Sequence, residues 1–258
     1  MAGMLDSKAA LSQLIELLGR SQPDWRAFRG QGRRALLVTF VNPHSVRMMM
    51  DRPGYAADLA AFDITFPDGN LLALSASRQL CRVVDRRSFD GNSLALEVFE
   101  FCRLNSLKIA LIGGVDGVAA SAAAVFAREF AVDIAYVRSG YFNGDQEVHQ
   151  CHSEIKAQSI DVVICGMGAP YQDRFLLGLK ASGWIGLGFT CGGYLDQALT
   201  GVKYYPEWVN RFNLRAPYRL LREPRRLWRR YLIEYLPFMV ADARLRMSGG
   251  GSSRERLP

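Results

Sequence analysis

The chain lacks several features that would assign it to a well-known class. None of its apolar runs reaches the roughly 18 residues of a membrane-spanning helix. Residues 1–20 have neither the basic start nor the long apolar core of a signal peptide, so we expect the protein to stay in the cytoplasm. A Walker-type lysine motif is also missing, which argues against an ATPase or a GTPase.

Cysteine is sparse and odd in number, which argues against a disulfide framework. Most of the five cysteines lie in apolar runs, so we interpret them as buried thiols. The group His149, Cys151 and His152 offers metal-binding side chains, but no matching second pair accompanies it, and we expect no metal site. The five are Cys81, Cys102, Cys151, Cys165 and Cys191.

Basic charge is concentrated at one end of the chain. From residue 201 onward there are 13 Lys and Arg against 5 Asp and Glu, a net charge of +8, whereas the whole chain is +7. The preceding residues are therefore nearly neutral. Arginines in this tail are interleaved with tryptophan, leucine, tyrosine and phenylalanine at helical spacing. This pattern favours an anionic, partly apolar surface, such as phospholipid headgroups or a lipid-linked diphosphate.

Two other interpretations of the tail stay open. It could be a solvated helix whose charges keep the protein in solution. It could also bind nucleic acid, although apolar side chains such as Leu227, Trp228 and Phe238 would be wasted against phosphates alone. A nucleic-acid-binding protein would also spread basic charge over the rest of the chain, and we therefore expect no nucleic-acid partner.

The hydrophobic pattern predicts one α/β domain with an appendage. Short β-branched or apolar runs alternate with longer helical patterns, which is typical of a parallel sheet covered by helices on both faces. The predicted strands are 35–41, 61–66, 108–113, 133–137, 161–165 and 184–189. The predicted helices are 45–59, 71–80, 94–105, 117–130, 146–157 and 171–181.

Glycine is concentrated directly after the predicted strands. Ligands of parallel sheets bind beyond the carboxyl ends of the strands, so these turns should form one site. Glycine lets backbone N–H groups approach a phosphate, and a diphosphate-bearing ligand would suit such a rim. The turn at 113–117 also resembles a dinucleotide-binding turn, but no acidic residue is well placed to hold the ribose of NAD, and we expect no cofactor.

Six motifs, in their order along the chain, resemble the WecG/TagA/CpsF family of bacterial glycosyltransferases. The similarity covers about residues 35–235, and chance agreement in both order and spacing is improbable. The motifs are Phe66-Pro67-Asp68-Gly69, Leu111-Ile112-Gly113-Gly114 with Gly117-Val118-Ala119, Gly140-Tyr141-Phe142, Gly166 to Asp173, Gly192-Gly193-Tyr194 with Asp196, and the run from Pro206 and Trp208 to Tyr231.

The resemblance implies a peripheral enzyme on the cytoplasmic face of the bacterial inner membrane. It implies inverting transfer of a hexose, of glucose or N-acetylmannosamine type, from a UDP-sugar to a polyprenyl-diphosphate-linked saccharide in exopolysaccharide or surface-polysaccharide assembly. We accordingly divide the chain into a helical lead-in (1–34), a Rossmann-like core with a parallel sheet (35–202), a basic amphipathic helical appendage that associates with the membrane (203–246) and a disordered tail (247–258).

The resemblance also assigns residues to roles. Asp68 would be the general base, because a carboxylate between a strand and a glycine is placed to take the proton of the acceptor hydroxyl. Its alternative role is an N-cap for the helix that begins near Asn70. The UDP-sugar would bind at Gly113, Gly114, Gly117, Tyr141, Gly166, Gly168, Gln172, Gly192, Gly193 and Asp196. The acceptor or its diphosphate would bind at Asn42, Arg87, Arg219, Arg226 and Arg230.

The chain departs from the family pattern in two places. Family members commonly place Thr two residues before the Asn of the first turn, where this chain has Phe40, while Thr39 lies one step earlier. A one-residue slip turns a side chain to the other face, so either Thr39 packs in the core or the strand is bulged. Around Asp90 the family's spacing of Arg, Gly and Asp is not kept, which leaves the roles of Asp90 and Arg87 open.

No Asp-x-Asp motif occurs in the chain. Many nucleotide-sugar transferases hold a divalent metal with that motif, so its absence predicts that backbone N–H groups and arginines neutralise the diphosphate. We therefore expect a metal-independent reaction. The alternative from another class is a non-catalytic protein that binds a nucleotide sugar or a lipid diphosphate at the membrane. The oligomeric state is left open by the sequence.

Overall fold

The computed structural model describes residues 6–20, 22–27, 34–52, 54–201, 218, 221, 228–229 and 233–249. Six strands form one sheet in the order β2-β1-β6-β5-β3-β4, and every pairing is parallel. Each overlaps a predicted strand, so the α/β prediction is confirmed. The strands are β1 (Leu36–Val41), β2 (Ile64–Pro67), β3 (Lys108–Gly113), β4 (Asp133–Arg138), β5 (Val162–Gly166) and β6 (Leu187–Thr190).

Ten α-helices lie within the described residues, together with one short 3-10 helix at Trp25–Ala27. They are α1 (Ser7–Gly19), α2 (Pro43–Asp51), α3 (Tyr55–Ala60), α4 (Asn70–Gln79), α5 (Leu94–Leu104), α6 (Val118–Phe130), α7 (Asp145–Ala157), α8 (Tyr171–Ala181), α9 (Tyr194–Ala198) and α10 (Leu236–Gly249). The helix predicted over 45–59 is two helices. The sequence has Pro53 between them, which lacks the N–H that a continuous helix would use, and Gly54 has a φ of +89°.

The strands are apolar on both faces because each face supports a separate core. Ile109 and Leu111 of β3 point into one core with α5, α6 and α9. Their neighbours Ala110 and Ile112 point into the other core with α7 and α8. The carboxyl ends of all six strands therefore lie along one edge of a sheet that is held rigidly from both sides.

Helix α10 is packed into a third core with α1, α2, α3 and α4. Phe238 and Ala241 are fully buried there, and the buried carboxylate of Asp242 accepts hydrogen bonds from Ser75 at 2.6 Å and Arg78 at 3.2 Å. The last helix thus belongs to the same packed body as the start of the chain. The division at residue 203 stays a prediction, and residues 250–258 of the predicted tail lie outside the described residues.

Two further observations bear on the sequence predictions. Four of the cysteines are buried free thiols, as expected, but Cys81 is exposed because it follows the end of α4. Among the described helices, none is long and apolar enough to cross a membrane.

Candidate active site

All six strands end at one cleft of about 1450 Å³. The turn after each strand contributes at least one residue to its wall, as the glycine pattern predicts for a parallel sheet. These residues are, from β1 to β6, Asn42, Asp68, Gly114, Tyr141, Gly168 and Gly193. The cleft has two unlike sides, which we call the charged rim (Asp68, Arg86, Ser88 and Asp90) and the glycine rim (Gly114, Gly166, Gly168, Gly192 and Gly193).

Asp68 is held at the end of β2 with its carboxylate accessible. Its backbone N–H donates to the carbonyl of Val41 at 2.7 Å, which fixes the turn against β1. Its side chain is 41% exposed and lies 3.6 Å from the guanidinium of Arg86. The N-cap of α4 is Gly69, so the interpretation of Asp68 as the N-cap is wrong. An accessible carboxylate in this position meets the geometric requirement for a general base.

Arg86 joins the acidic groups of the charged rim. Its guanidinium donates to the hydroxyl of Ser88 at 2.6 Å and lies 3.4 Å from the carboxylate of Asp90. Asp90 is buried, and it also accepts hydrogen bonds from the hydroxyl of Ser88 and the backbone N–H of Asn92. The second acid is therefore fixed in place, whereas Asp68 keeps an accessible side chain.

Arg87, which the sequence predicts at the acceptor site, is not among the residues that line the cleft. Its guanidinium lies 5.6 Å from the ring centre of Phe66 and 3.4 Å from Glu97. It lines a separate, smaller hollow with Gln22 and Thr65. In an extended segment, neighbouring side chains point to opposite sides of the backbone. Arg86 therefore faces the cleft, while Arg87 points away from it.

The glycines of the β3 turn have unequal roles. A Cβ at Gly113 would lie 2.3 Å from the carbonyl oxygen of Gly166, so β3 and β5 can approach only if residue 113 is glycine. Gly114 lines the cleft with a φ of +67° and donates its N–H to the same carbonyl. Gly113 and Gly117 are not among the residues that line the cleft, and both have positive φ angles in the turn.

Gln172 ties the other two glycine turns together. Its side chain is buried, and its Oε1 accepts a hydrogen bond from the backbone N–H of Gly192 at 3.1 Å. Gly166, Gly168 and Gly193 line the same wall. Tyr141 and Asp196 also lie there, and Tyr141 is largely exposed. The glycine rim is thus a set of backbone groups fixed by packing and by one buried amide.

Asn42 has a structural task at the edge of the cleft. Its Oδ1 accepts a hydrogen bond from the backbone N–H of His44 at 3.0 Å, and its own backbone N–H donates to the hydroxyl of Ser45. These bonds cap the start of helix α2. The imidazole of His44 lies 3.2 Å from the carboxylate of Glu234. The segment just before α10 therefore reaches the wall of the cleft.

A buried acid, Asp173 of α8, is hydrogen-bonded to strand β1 near the cleft. Thr39 of β1 donates to its carboxylate at 2.8 Å, and Thr39 also lies 3.0 Å from the hydroxyl of Thr190 at the end of β6. Burial raises the pKa of Asp173 to about 7, although the hydrogen bond from Thr39 opposes this shift. The pairing of β1 with β2 is unbroken from Val38 to Val41, so Thr39 packs in the core and the strand is not bulged.

Comparison with known proteins identifies the family. The sequence model of the glycosyl transferase WecG/TagA/CpsF family matches residues 22–250. The chain belongs to this family. It is 30% identical over 228 residues, 88% of this chain and 94% of the relative, to the UDP-Gal:alpha-D-GlcNAc-diphosphoundecaprenol beta-1,4-galactosyltransferase of Shigella boydii.

A second relative transfers a different sugar. The chain is 28% identical over 203 residues, 78% of this chain and 76% of the relative, to the N-acetylglucosaminyldiphosphoundecaprenol N-acetyl-beta-D-mannosaminyltransferase of Bacillus spizizenii. The resemblance stated from the motifs is therefore confirmed, and the protein is a glycosyltransferase.

An aromatic wall of Phe40, Phe89 and Tyr194 lines part of the cleft of this glycosyltransferase. Phe40 and Phe89 meet edge to face with ring centres 6.2 Å apart, and Tyr194 meets Phe89 at 5.8 Å. The hydroxyl of Tyr194 is buried and has no hydrogen-bond partner within the described chain. Its pKa is raised, first by burial and then by the charge of Asp90. Phe89, Tyr194 and Arg86 were not predicted as site residues, and Phe40 was noted only as a departure from the family pattern.

The histidines of α7 do not form a metal centre with Cys151. His152 is buried against the ring of Phe175, and burial lowers its pKa to about 4, whereas His149 is exposed. In the part of the chain that the structure describes, no group of three or more His, Cys, Asp or Glu could hold a metal ion. The predicted acceptor residues Arg219, Arg226 and Arg230 lie outside that part.

Proposed function

We propose that this glycosyltransferase moves a hexose from a UDP-sugar to a polyprenyl-diphosphate-linked saccharide, with inversion, on the cytoplasmic face of the bacterial inner membrane. Both named relatives act on N-acetylglucosaminyl-diphosphoundecaprenol, one with galactose and the other with N-acetylmannosamine. The same acceptor class is therefore the first candidate here. Galactose joins glucose and N-acetylmannosamine as a candidate for the transferred sugar.

The observation that carries this proposal is the accessible carboxylate of Asp68 opposite the glycine rim in one cleft. The acceptor hydroxyl attacks the anomeric carbon, its oxygen forms the new bond, and the bond to the UDP oxygen breaks. Asp68 takes the proton of the attacking hydroxyl, and Arg86 holds that carboxylate towards the cleft. A single displacement with one base inverts the anomeric carbon.

The glycine rim is the proposed seat of the UDP diphosphate. Gly168 lines this rim with a φ of +75° and open space where a Cβ would be, so its backbone N–H can face a ligand. The N–H groups of Gly114 and Gly192 are bonded to Gly166 and Gln172 and hold their turns in place. Negative charge that develops on the leaving UDP would be stabilised by N–H groups of this rim, with Gly168 the first candidate, and by arginines of the tail. We further propose that no metal ion takes part, which the absence of an Asp-x-Asp motif supports.

The aromatic wall is suited to the transferred sugar or to the first sugar of the acceptor. Phe40, which is partly exposed in the cleft, offers its ring to the C–H face of a hexose, and the buried ring of Phe89 supports it edge to face. The choice between hexoses then depends on a few hydrogen bonds to sugar hydroxyls.

The test is a transfer assay with membranes or vesicles that contain N-acetylglucosaminyl-diphosphopolyprenol. UDP-galactose, UDP-glucose and UDP-N-acetylmannosamine are supplied in separate reactions with excess EDTA, and the anomeric configuration of the product is determined by NMR. We expect one donor to give an inverted product without added metal. Transfer that returns only on titration with manganese or magnesium would refute metal independence, and no transfer from any donor would refute the proposed acceptor class.

A further inference from the structure

Helix α10 is apolar on the side that it buries and also on the side that it exposes. Phe238 and Ala241 face the core. The opposite side presents apolar residues at spacings of three and four, which form one stripe over three turns. These are Leu236, Met239, Val240, Ala243 and Met247, and Leu236, Met239 and Met247 are 56%, 52% and 74% exposed. A helix that is apolar all round is normally covered on all sides.

Helix α4 has the same property. Leu72, Ala73 and Ala76 are buried, while Leu71 and Leu74 are 49% and 55% exposed on the outer side. Two leucines on the outer side of a ten-residue helix leave a large apolar area in contact with water.

The two exposed stripes adjoin each other. The carboxylate of Asp242 in α10 accepts hydrogen bonds from Ser75 and Arg78 of α4, which links the two helices at this point. Leu71 lies one turn before Ser75, and Met239 lies almost one turn before Asp242, so both stripes reach this contact. We call the combined area the α4–α10 surface. It consists of Leu71, Leu74, Leu236, Met239, Val240 and Met247.

The α4–α10 surface begins at the mouth of the cleft. Helix α4 starts at Asn70, two residues after Asp68, and Glu234, just before α10, contacts His44 in the cleft wall. A ligand held on this surface therefore lies next to the proposed base. This position would allow an apolar chain to rest outside while its polar head enters the cleft.

The charges around this surface are mostly basic. Arg78, Arg244 and Arg246 lie on the same two helices, and Asp242 is the acid between them. Apolar side chains surrounded by arginines suit the headgroup region of an anionic bilayer. Pairing of two copies through this surface would bring their arginines together, which disfavours a dimer as the occupant.

We propose that the α4–α10 surface docks on an anionic lipid bilayer and presents the cleft to lipid-linked acceptors. The entry of the acceptor rests on the proposed function, whereas docking on lipid does not. The inference differs from attachment by the basic tail alone, because it assigns part of the lipid contact to α4 of the α/β body.

The test compares two triple variants of the full chain. The first is Leu71→Ser with Leu74→Ser and Met239→Ser. The control removes three exposed apolar side chains elsewhere, by Leu104→Ser, Val137→Ser and Ile185→Ser. Flotation with phosphatidylglycerol vesicles measures binding, and thermal unfolding by circular dichroism checks that both variants fold. We expect at least about tenfold weaker binding for the first variant and no change for the control.

Activity on two acceptors separates this inference from the proposed function. The first variant should lose transfer to the long-chain acceptor in vesicles but keep transfer to a short-chain, water-soluble acceptor. Vesicle binding equal to that of the unchanged protein would overturn the inference. The inference would also be overturned if the unchanged protein were a dimer and the first variant a monomer with the same vesicle binding. The surface would then be a subunit interface. If the unchanged protein transferred sugar to neither acceptor, the proposed function would be refuted. Flotation would still show whether the α4–α10 surface binds vesicles.

Discussion

The two rims of the cleft are built by opposite means. The charged rim uses side chains, with Arg86 placed between Asp68 and Asp90. The glycine rim uses backbone, and its shape depends on the absence of side chains, as at Gly113 against Gly166. A proton acceptor must be an ionisable side chain, whereas a diphosphate is bound well by N–H groups that need room. The division of labour in the proposed reaction therefore follows from the chemistry of each substrate group.

The largest expected effect comes from Asp68→Asn on the charged rim. The amide keeps the shape but cannot take a proton, so kcat should fall about 10²- to 10⁴-fold. UDP affinity by calorimetry should stay nearly unchanged, because the glycine rim is intact. The exposed Asp85→Asn, outside the cleft, is the matched control. Turnover near normal in Asp68→Asn would remove this residue from the mechanism.

Gly113→Ala should destabilise the folded protein at the glycine rim. The added Cβ would meet a backbone carbonyl that cannot move aside, so the free energy of unfolding should fall by at least about 2 kcal/mol. Gly183→Ala, with positive φ but open space, should lose only about 1 kcal/mol by urea denaturation. Equal losses in the two variants would show that close approach of β3 and β5 is not the constraint.

The buried Asp173, which is bonded to Thr39 of β1, should make the stability of the protein depend on pH. Its pKa of about 7 in the folded protein exceeds the ordinary value of 3.8, so the folded state favours the protonated acid. The stability that this proton contributes is fully present below about pH 4 and is lost as pH rises towards 7. The free energy of unfolding of the unchanged protein, measured with urea, should therefore fall by about 2 kcal/mol between pH 5 and pH 7. In Asp173→Asn this fall should be absent. Exposed Asp133→Asn is the control, and the same decline in Asp173→Asn would contradict the assignment.

The smallest effect is expected from Arg86→Gln, and the neighbouring Arg87→Gln is its matched control. Arg86→Gln removes the cation between Asp68 and Asp90, so kcat/KM should fall about tenfold. Arg87→Gln should leave transfer unchanged, because that side chain faces Glu97 outside the cleft. A larger loss at Arg87 than at Arg86 would support the sequence-based assignment of Arg87 to the acceptor site.

Local pattern was sufficient for the sheet and for the turns of the cleft. The strand predictions held because buried parallel strands are short apolar runs between turns. The cysteine prediction failed only at Cys81, where the apolar run of α4 ends. The predicted helix 45–59 failed because its apolar pattern continues across Pro53, and helical spacing was given more weight than the proline.

The sequence by itself determined the fold class, the family and the edge of the sheet where the site lies, since each depends on residue types at fixed spacing. Only the tertiary structure decided which of Arg86 and Arg87 faces the cleft, because one step along a non-helical segment reverses a side chain. It alone revealed the hydrogen bonds that link Asp173, Thr39 and Thr190, which lie far apart in sequence. It also showed that α10 packs on α1 and α2 and is hydrogen-bonded to α4, because contacts between distant parts of a chain leave no local pattern.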